Sequence, residues 1–370
     1  MNYLARQKKL ADRMRLFGLD GMLVTHLPNV RYLCGFTGSS GYLAIRAGAS
    51  SLKAVFCSDG RYAVQAKEEV EGAKIVISRK PALLEACQWV TRSGIRVLGF
   101  EAEHLSYEIY RHLVRTFRGN TRLKPATGLI EQLRTTKDPE EIEQMRAAAL
   151  LGASLFPTAL ATIAAGVPEA VVAGEMELQA RRAGAEKMSF DTIVAAGVRS
   201  ALPHGTASSH AIPDSGFVIL DYGVILAGYC SDMTRTVHLG RAPAARRRMY
   251  KAVLEAQLAS VAAVGPGVET GAVDKAGRQV LKKAGFEAYF THSTGHGVGM
   301  EVHEPPRLAR GQKQKLEPGM VVTVEPGIYI PGQGGVRIED MVLVTETGKE
   351  ILTPTSRDLI ELEPESLRPS

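Results

Sequence analysis

The sequence is poor in cysteine, tryptophan and histidine, with four, one and nine of these residues among 370. The cysteines are Cys34, Cys57, Cys87 and Cys230, and they lack the close pairs of a thiolate metal site. We therefore expect reduced structural cysteines in a cytoplasmic protein. Residues 1–20 have no apolar core and no small-residue cleavage site, so export is not expected. We also find no internal repeat and no low-complexity linker.

The chain also lacks a convincing membrane span or nucleic-acid-binding region. Residues 147–168 are uncharged but rich in Ala and Thr and interrupted by Gly152 and Pro157, so we expect a helix packed in a soluble core. The net charge is +6, but its one tight cluster, Arg246-Arg247-Arg248, opens a predicted helix and is typical of a solvated face. We expect neither a nucleic-acid nor a membrane partner.

Helical and strand-like segments alternate along the first third of the chain. Helices are predicted over residues 4–17, 61–70 and 83–91, and strands over 21–25, 52–58, 74–78 and 95–100. This pattern predicts an α/β domain. Asp138, followed by Pro139 and two glutamates, is typical of a helix start, and we place the domain boundary just before it. The domains are thus predicted over residues 1–130 and 131–370. Helices at 139–165, 168–183, 243–264 and 270–284, separated by strands, make the second domain α+β.

Acidic residues stand at the ends of predicted strands in the second domain. Asp221 ends the apolar run 217–220, and Glu325 follows the run 321–324 and precedes Pro326-Gly327. Asp232 alternates with two threonines, so we expect all three on one strand face.

The segment 335–339 is predicted as a strand that places Arg337 and Glu339 on the same side. Burying four carboxylates among aliphatic side chains would be prohibitive unless cations neutralised them, and two divalent ions would do so. Oxygen-rich donors favour manganese first, with cobalt and zinc as alternatives, and the lack of a cysteine ligand argues against a thiolate zinc or copper site.

Three histidines fall within twelve residues: His292, His296 and His303. The first two are four apart, which on a helix would resemble a zincin pair. The glycines at 295, 297 and 299 disfavour a helix, so we expect a strand or loop.

Six motifs in order make the chain resemble the pita-bread metallopeptidases. They are Asp-Tyr-Gly at 221–223, Ser-Asp-Met-Thr-Arg-Thr at 231–236, His-Ser-Thr-Gly-His-Gly-Val-Gly at 292–299, Val-His-Glu-Pro-Pro-Arg at 302–307, Thr-Val-Glu-Pro-Gly-Ile-Tyr at 323–329 and Val-Arg-Ile-Glu-Asp at 336–340. The proline-specific branch, Xaa-Pro aminopeptidase and Xaa-Pro dipeptidase (prolidase), is the most similar. Residues 29–41 resemble its creatinase-like amino-terminal domain. The resemblance implies a curved antiparallel sheet with metals in its concave face, and a homodimer.

The resemblance also implies a ligand set for two ions. Asp221 would hold one ion, His296 and Glu325 the other, and Asp232 and Glu339 would bridge them. Such ions make a shared water more acidic. Glu325 would also pass the water proton to the leaving proline nitrogen.

By the same resemblance, other side chains would act on the substrate. His204, His292 and His303 would contact the peptide or stabilise the tetrahedral intermediate. Arg337 would orient a bridging carboxylate or the substrate, and Tyr329 would line the pocket. A plain salt bridge for Arg337 and core packing for Tyr329 remain open.

The implied substrate is a peptide with proline at its second position, whose imide nitrogen carries no proton. A dipeptidase must also bind the free proline carboxylate, and Arg307 and Arg310 lie where prolidases carry such an arginine. Similar arginines occur in the aminopeptidases, and the short segment 304–318 favours an aminopeptidase. The complete ligand set argues against a metal-free binding module and against creatinase-like chemistry. The large first domain and Val-His-Glu-Pro argue against a methionine aminopeptidase.

Overall fold

The computed structural model describes residues 1–47 and 52–363, which form two compact units divided between Arg134 and Thr135. The helix that opens the second unit begins where the sequence predicts. Asp138 accepts a hydrogen bond from the Glu141 N–H at 2.9 Å, and the Glu141 carboxylate accepts one from the Asp138 N–H at 3.0 Å. This capping box, with proline at the first helical position, confirms the predicted start.

The first unit is α/β, as predicted. Its helices are α1 (Tyr3–Leu16), α2 (Leu27–Cys34), α3 (Gln65–Glu69), α4 (Ala82–Arg92), α5 (Tyr107–Thr116) and α6 (Glu131–Arg134). Its strands are β1 (Gly21–Val24), β2 (Tyr42–Ala47), β3 (Leu52–Asp59), β4 (Lys74–Ser78), β5 (Val97–Glu101) and β6 (Arg122–Ala126). They form a mixed sheet in the order β4-β3-β2-β1-β5-β6.

Apolar side chains of this sheet pack against α4 and α5, and the cysteines join the interior. Leu23, Val55 and Leu98 meet Val90 of α4 and Leu113 of α5 in one buried cluster. All four cysteines of the chain are buried and free, and none forms a disulfide within residues 1–47 and 52–363.

The second unit combines helices with mainly antiparallel strands. Its helices are α7 (Pro139–Ser154), α8 (Phe156–Thr162), α9 (Glu169–Arg182), α10 (Ala244–Ala263) and α11 (Thr270–Ala284). The predicted single helix over 139–165 is wrong, because it is divided at Leu155. Pro157 cannot donate a backbone hydrogen bond, and it is accommodated in the first turn of α8.

The same region contains a stretch of membrane-spanning length. By length and composition alone, Pro139–Thr162 could cross a membrane. Leu155, Phe156 and Ala159 nevertheless lie in a hydrophobic core with strands of the second unit. Core helices commonly pass such a test.

The strands of the second unit follow in chain order. They are β7 (Lys187–Met188), β8 (Ile193–Ala196), β9 (Gly216–Tyr222), β10 (Val224–Leu226), β11 (Tyr229–Cys230), β12 (Met233–Leu239), β13 (Gly295–Gly297), β14 (Glu304–Leu308), β15 (Val321–Val324), β16 (Gly327–Ile330), β17 (Gly334–Arg337), β18 (Asp340–Val344), β19 (Lys349–Ile351) and β20 (Glu361–Leu362). They pair in the orders β20-β12-β9-β8, β14-β13-β15-β18-β19, β11-β10-β7 and β16-β17. All pairs except β12–β20 are antiparallel.

Two features of these sheets determine where polar side chains point. In the β9–β12 pair, Asp221 lies directly opposite Thr234. On β13, His296 lies between two glycines, and both are sterically required. A Cβ on Gly295 would meet the Thr323 carbonyl oxygen at 2.0 Å, and one on Gly297 would meet the Pro305 oxygen at 2.1 Å. The strand can thus pack closely between its neighbours while presenting only the histidine.

Candidate metal centre

Two aspartates lie at the adjoining ends of β9 and β12. Asp221 is the penultimate residue of β9, as the apolar run before it predicts. Asp232 lies just before β12, which begins at Met233, so the predicted strand is wrong at this one residue. One carboxylate oxygen of Asp221, Oδ2, accepts a hydrogen bond from Arg337. The other, Oδ1, is buried and has no hydrogen-bond partner among the described residues.

His296 and Glu325 come from the neighbouring sheet. The Nδ1 atom of His296 lies 3.0 Å from the Gly297 carbonyl oxygen, which can only accept, so Nδ1 carries the proton. Nε2 therefore keeps its lone pair, the arrangement typical of a metal-binding histidine. Nε2 lies 3.7 Å from Asp232 Oδ2 and 3.5 Å from Glu325 Oε1. His296 lies in the strand β13, one of the two conformations expected for it, and Glu325 follows directly after β15, as predicted.

Glu339 reaches the same place from the two residues that separate β17 from β18. The predicted strand over 335–339 is therefore wrong at its last two positions. The strand is interrupted here because the Glu339 N–H donates to the Thr234 carbonyl of β12 at 3.1 Å. The Thr234 hydroxyl donates to Glu339 Oε2 at 2.7 Å and accepts from Arg337 Nε at 3.1 Å. Arg337 and Glu339 thus lie on the same side, as predicted, although no continuous strand joins them.

Electrostatics make this group of acids resist ionisation in the absence of cations. Burial raises the pKa of Asp232 well above its ordinary value, and the neighbouring Glu339 and Asp221 raise it further. The pKa of Glu339 is raised well above its ordinary value by burial and then by Glu325. Burial raises the pKa of Glu325 to about 8 and lowers that of His296 to about 4. Each group therefore tends towards its uncharged form.

The donor set fits divalent cations. One ligand atom from each of Asp232, His296 and Glu339 can be chosen so that all lie within 4.8 Å of one another. The unpartnered oxygen of Asp221 and the carboxylate of Glu325 add further hard donors beside them. Carboxylate oxygens with one imidazole nitrogen suit Mn²⁺, Co²⁺ or Zn²⁺, and cations would remove the cost of four buried acids.

A chain of hydrogen bonds leads from this centre to His292. Arg337 is 3% exposed and donates to Asp221, to the Tyr329 hydroxyl at 2.7 Å and to the Pro203 carbonyl at 3.0 Å. His292 Nδ1 donates to the Ser293 carbonyl at 2.8 Å, so its Nε2 accepts from the Tyr329 hydroxyl at 2.9 Å. Arg337 is therefore ion-paired with a candidate ligand, and Tyr329 has a polar role beyond core packing.

His303 and His204 lie more openly beside the centre. The His303 ring meets the His296 ring edge to face, with centroids 4.4 Å apart. Burial lowers the pKa of His303, and His204 lowers it further. His204 also contributes to the lowered pKa of His292, after burial and Arg337. The three histidines predicted to act on substrate are thus close enough to influence one another.

The loop that carries His204 is fastened at both ends by one buried acid. Glu169 accepts hydrogen bonds from the Ala196 N–H at 2.9 Å, from Arg199 Nε at 3.1 Å and from the Ser208 hydroxyl at 2.7 Å. The Ser208 N–H also donates to it at 3.2 Å. Nothing in the local sequence pattern around Glu169 predicts this role.

A second missed group lies behind the centre. Arg235 is 1% exposed, and its Nη1 donates to the carbonyl oxygens of Thr234 and Glu339 at 2.8 and 2.5 Å. Its Nη2 lies 2.8 Å from Asp340 Oδ1. The sequence does contain a signal for Arg235, which lies between Thr234 and Thr236 on the predicted strand. Residues next to inward-pointing positions on a strand point to the opposite face.

Comparisons with known proteins agree with the two units. A model described as Creatinase/Prolidase N-terminal domain matches residues 6–136, and one described as Metallopeptidase family M24 matches residues 143–346. A structure described as Xaa-Pro dipeptidase from Bacillus anthracis is 40% identical, with a TM-score of 0.93, and the match covers 98% of this chain and 100% of that one. The Xaa-Pro dipeptidase of Pyrococcus horikoshii is 36% identical over 95% of this chain and 98% of its own length. An X-Pro aminopeptidase structure from Thermotoga maritima is 33% identical, with a TM-score of 0.86 and coverage of 95% and 99%.

Proposed function

The chain belongs to metallopeptidase family M24, and on this basis we propose that it is an Xaa-Pro dipeptidase, which hydrolyses the bond between an amino-terminal residue and a carboxyl-terminal proline. The pita-bread fold and the peptidase class follow from the family. Relatives named Xaa-Pro dipeptidase, 36–40% identical over nearly the whole chain, favour the dipeptidase over the aminopeptidase that the short segment 304–318 suggested.

The observation that carries the proposal is the placement of Arg307. It lies directly opposite His296 in the β13–β14 pair, so both side chains leave the same face of the sheet. Arg307 is exposed, and no acid among residues 1–47 and 52–363 pairs with it. Arg310 is already paired with Glu287, at 3.0 Å. A free guanidinium beside the candidate centre is suited to a dipeptide's terminal carboxylate.

The five predicted ligands would hold the divalent ions that the family implies. Asp221, Asp232, His296, Glu325 and Glu339 supply the donors, and we propose manganese as the native metal. When bound, the ions would supply Lewis acidity for the scissile carbonyl and for the attacking water.

The chain's own residues would complete the reaction. Glu325 would take the proton from water and deliver it to the proline nitrogen, which must gain a proton to leave. His303 and His204, on the open side of the centre, would donate to the oxygen that becomes negative in the tetrahedral intermediate. Arg337 would hold Asp221 in place, and Tyr329 would fix the His292 ring by donating to its Nε2.

The experiment compares three substrates in manganese-supplemented buffer: an Xaa-Pro dipeptide, its proline amide and the same sequence extended by two residues. We expect the dipeptide to be hydrolysed best. Arg307→Ala should raise the KM for the dipeptide roughly 10- to 100-fold, since a hydrogen bond to a charged group contributes about 1.5–3 kcal/mol. The same substitution should barely change the KM for the proline amide. Arg310→Ala is the matched control, with a change below about twofold expected because its exposed ion pair contributes at most about 1 kcal/mol.

A second candidate is the Xaa-Pro aminopeptidase, favoured by the similarity to the Thermotoga maritima structure and by the few residues between β14 and β15. Preference for the extended peptide, with release of its first residue and no effect of Arg307→Ala, would establish that activity instead. Absence of hydrolysis with manganese, cobalt and zinc would remove both candidates.

A further inference from the structure

The Val-His-Glu-Pro-Pro-Arg motif contains a buried acid that the proposed chemistry does not use. The Glu304 side chain is 3% exposed, and Lys137, whose side chain is 1% exposed, places its Nζ 3.1 Å from Glu304 Oε2. The Lys137 Nζ also donates to the Thr135 carbonyl at 3.3 Å, and Glu304 Oε1 accepts from the Glu301 N–H at 3.1 Å. An ion pair therefore joins the first residues of the second unit to the first residue of β14.

The backbone around Glu304 packs closely on its carboxylate. A Cβ added to Gly299 would lie 2.6 Å from Glu304 Oε2, so a larger residue there would displace the carboxylate from its present position. The Gly299 carbonyl accepts from the Cys230 N–H at 2.7 Å, which fixes the opposite side of the segment. Residues 299–304 thus fold around one carboxylate.

The ion pair also lies directly beside His303. Along β14, Glu304, Pro306 and Leu308 are buried, whereas Pro305 and Arg307 are exposed. His303 precedes this strand, in a bend over residues 301–303 that the Glu304 carboxylate closes by accepting from the Glu301 N–H. With Glu304 held inward by Lys137, the exposed His303 ring contacts His296.

Stability alone does not account for the pair, because the free energy lost on desolvating two charges offsets much of the attraction between them. Replacing such a pair with apolar residues is often neutral for stability. We propose that Lys137 and Glu304 are positioning residues for the reaction, which act by holding His303 over the centre. This inference rests on the function proposed for His303. It predicts that removing the pair lowers turnover only while His303 is present.

The test is a double-mutant cycle. Lys137→Met leaves an unpaired acid in the interior and could prevent folding, so the main variant is Lys137→Met with Glu304→Leu, which buries no charge. We expect its kcat to fall at least tenfold, with KM changed less than threefold and metal content unchanged. In a His303→Ala background, the same two substitutions should change kcat less than twofold, because residues that act through one another are not additive.

A readout that does not depend on activity is amide hydrogen exchange of residues 298–304. Exchange there should accelerate at least tenfold in the double variant. Met249→Ala, which leaves a cavity where α10 packs in the core, is the matched control for lost stability. It should change neither kcat nor this exchange by more than twofold.

The inference would be overturned if the double variant had the same exchange rates and the same kcat as the wild type. It would also be overturned if the two substitutions lowered kcat equally with and without His303. If the wild-type protein hydrolyses no Xaa-Pro peptide, the proposed function fails, and the exchange measurement alone decides whether the pair orders this segment.

Discussion

His292 should remain uncharged in the folded protein well below neutral pH. Its Nδ1 donates to the Ser293 carbonyl and its Nε2 accepts from Tyr329, whose oxygen already accepts from Arg337. A proton on Nε2 would face that hydroxyl and the Arg337 cation behind it. Burial, followed by Arg337, lowers the pKa of His292 from 6.5 to about 4.

The size of the effect on stability follows from this shift. A folded pKa below the unfolded one contributes stability that is fully present above pH 6.5 and is lost as the pH falls towards 4. A difference of about 2.5 pKa units, at 1.36 kcal/mol per unit, corresponds to about 3 kcal/mol in the free energy of unfolding. His292→Gln cannot titrate, so its free energy of unfolding should fall by about 3 kcal/mol less than that of the wild type between pH 7 and pH 4.

Urea denaturation of both metal-free proteins across this pH range measures the difference. At pH 8 both side chains are neutral, so the difference between the two free energies of unfolding there gives the stability lost with the ring itself. This difference serves as the control. Titration of the His292 ring by NMR checks the pKa directly. A midpoint at 6 or above, or parallel stability curves, would refute the reasoning.

Three further changes follow from the same contacts. Asp232→Ala should abolish tight binding of two metal ions in equilibrium dialysis, and retention of both ions would contradict its bridging role. Arg235→Met should lower the free energy of unfolding by about 3–5 kcal/mol, since it leaves the buried Asp340 carboxylate without this cationic partner. Arg247→Met, in an exposed pair, should cost below about 1 kcal/mol, and equal losses in thermal denaturation would be inconsistent with this reasoning. Glu169→Gln should raise KM several-fold with metal content unchanged, because the loop over residues 196–208 loses its ionic anchor; an unchanged KM would argue against it.

Sequence patterns were most reliable where local chemistry determines the structure. Asp138 and Pro139 predict the start of α7 from capping alone, and β4 and α11 have the predicted bounds. The predicted helix over 61–70 is too long, because Asp59 caps a separate short turn over Gly60–Tyr62 before α3 begins.

The parts that failed depend on long-range contacts. Helices α2 and α5 were not predicted, since α2 is short and α5 exposes much of its surface. Glu339 leaves its predicted strand because it bonds to Thr234, 105 residues away. The partners of Glu169 and Lys137 are likewise distant along the chain, so no local pattern could identify them.

The candidate ligands are divided between two sheets: Asp221 lies in β9 and Asp232 just before β12, whereas His296 lies in β13 and Glu325 just after β15. Neither sheet holds a complete set, so an ion bound by both would join them as a cross-link does. Metal at 1,000 times its dissociation constant would add about 4 kcal/mol to the free energy of unfolding. The supply of metal would then influence how long the protein survives proteolysis as well as how fast it works.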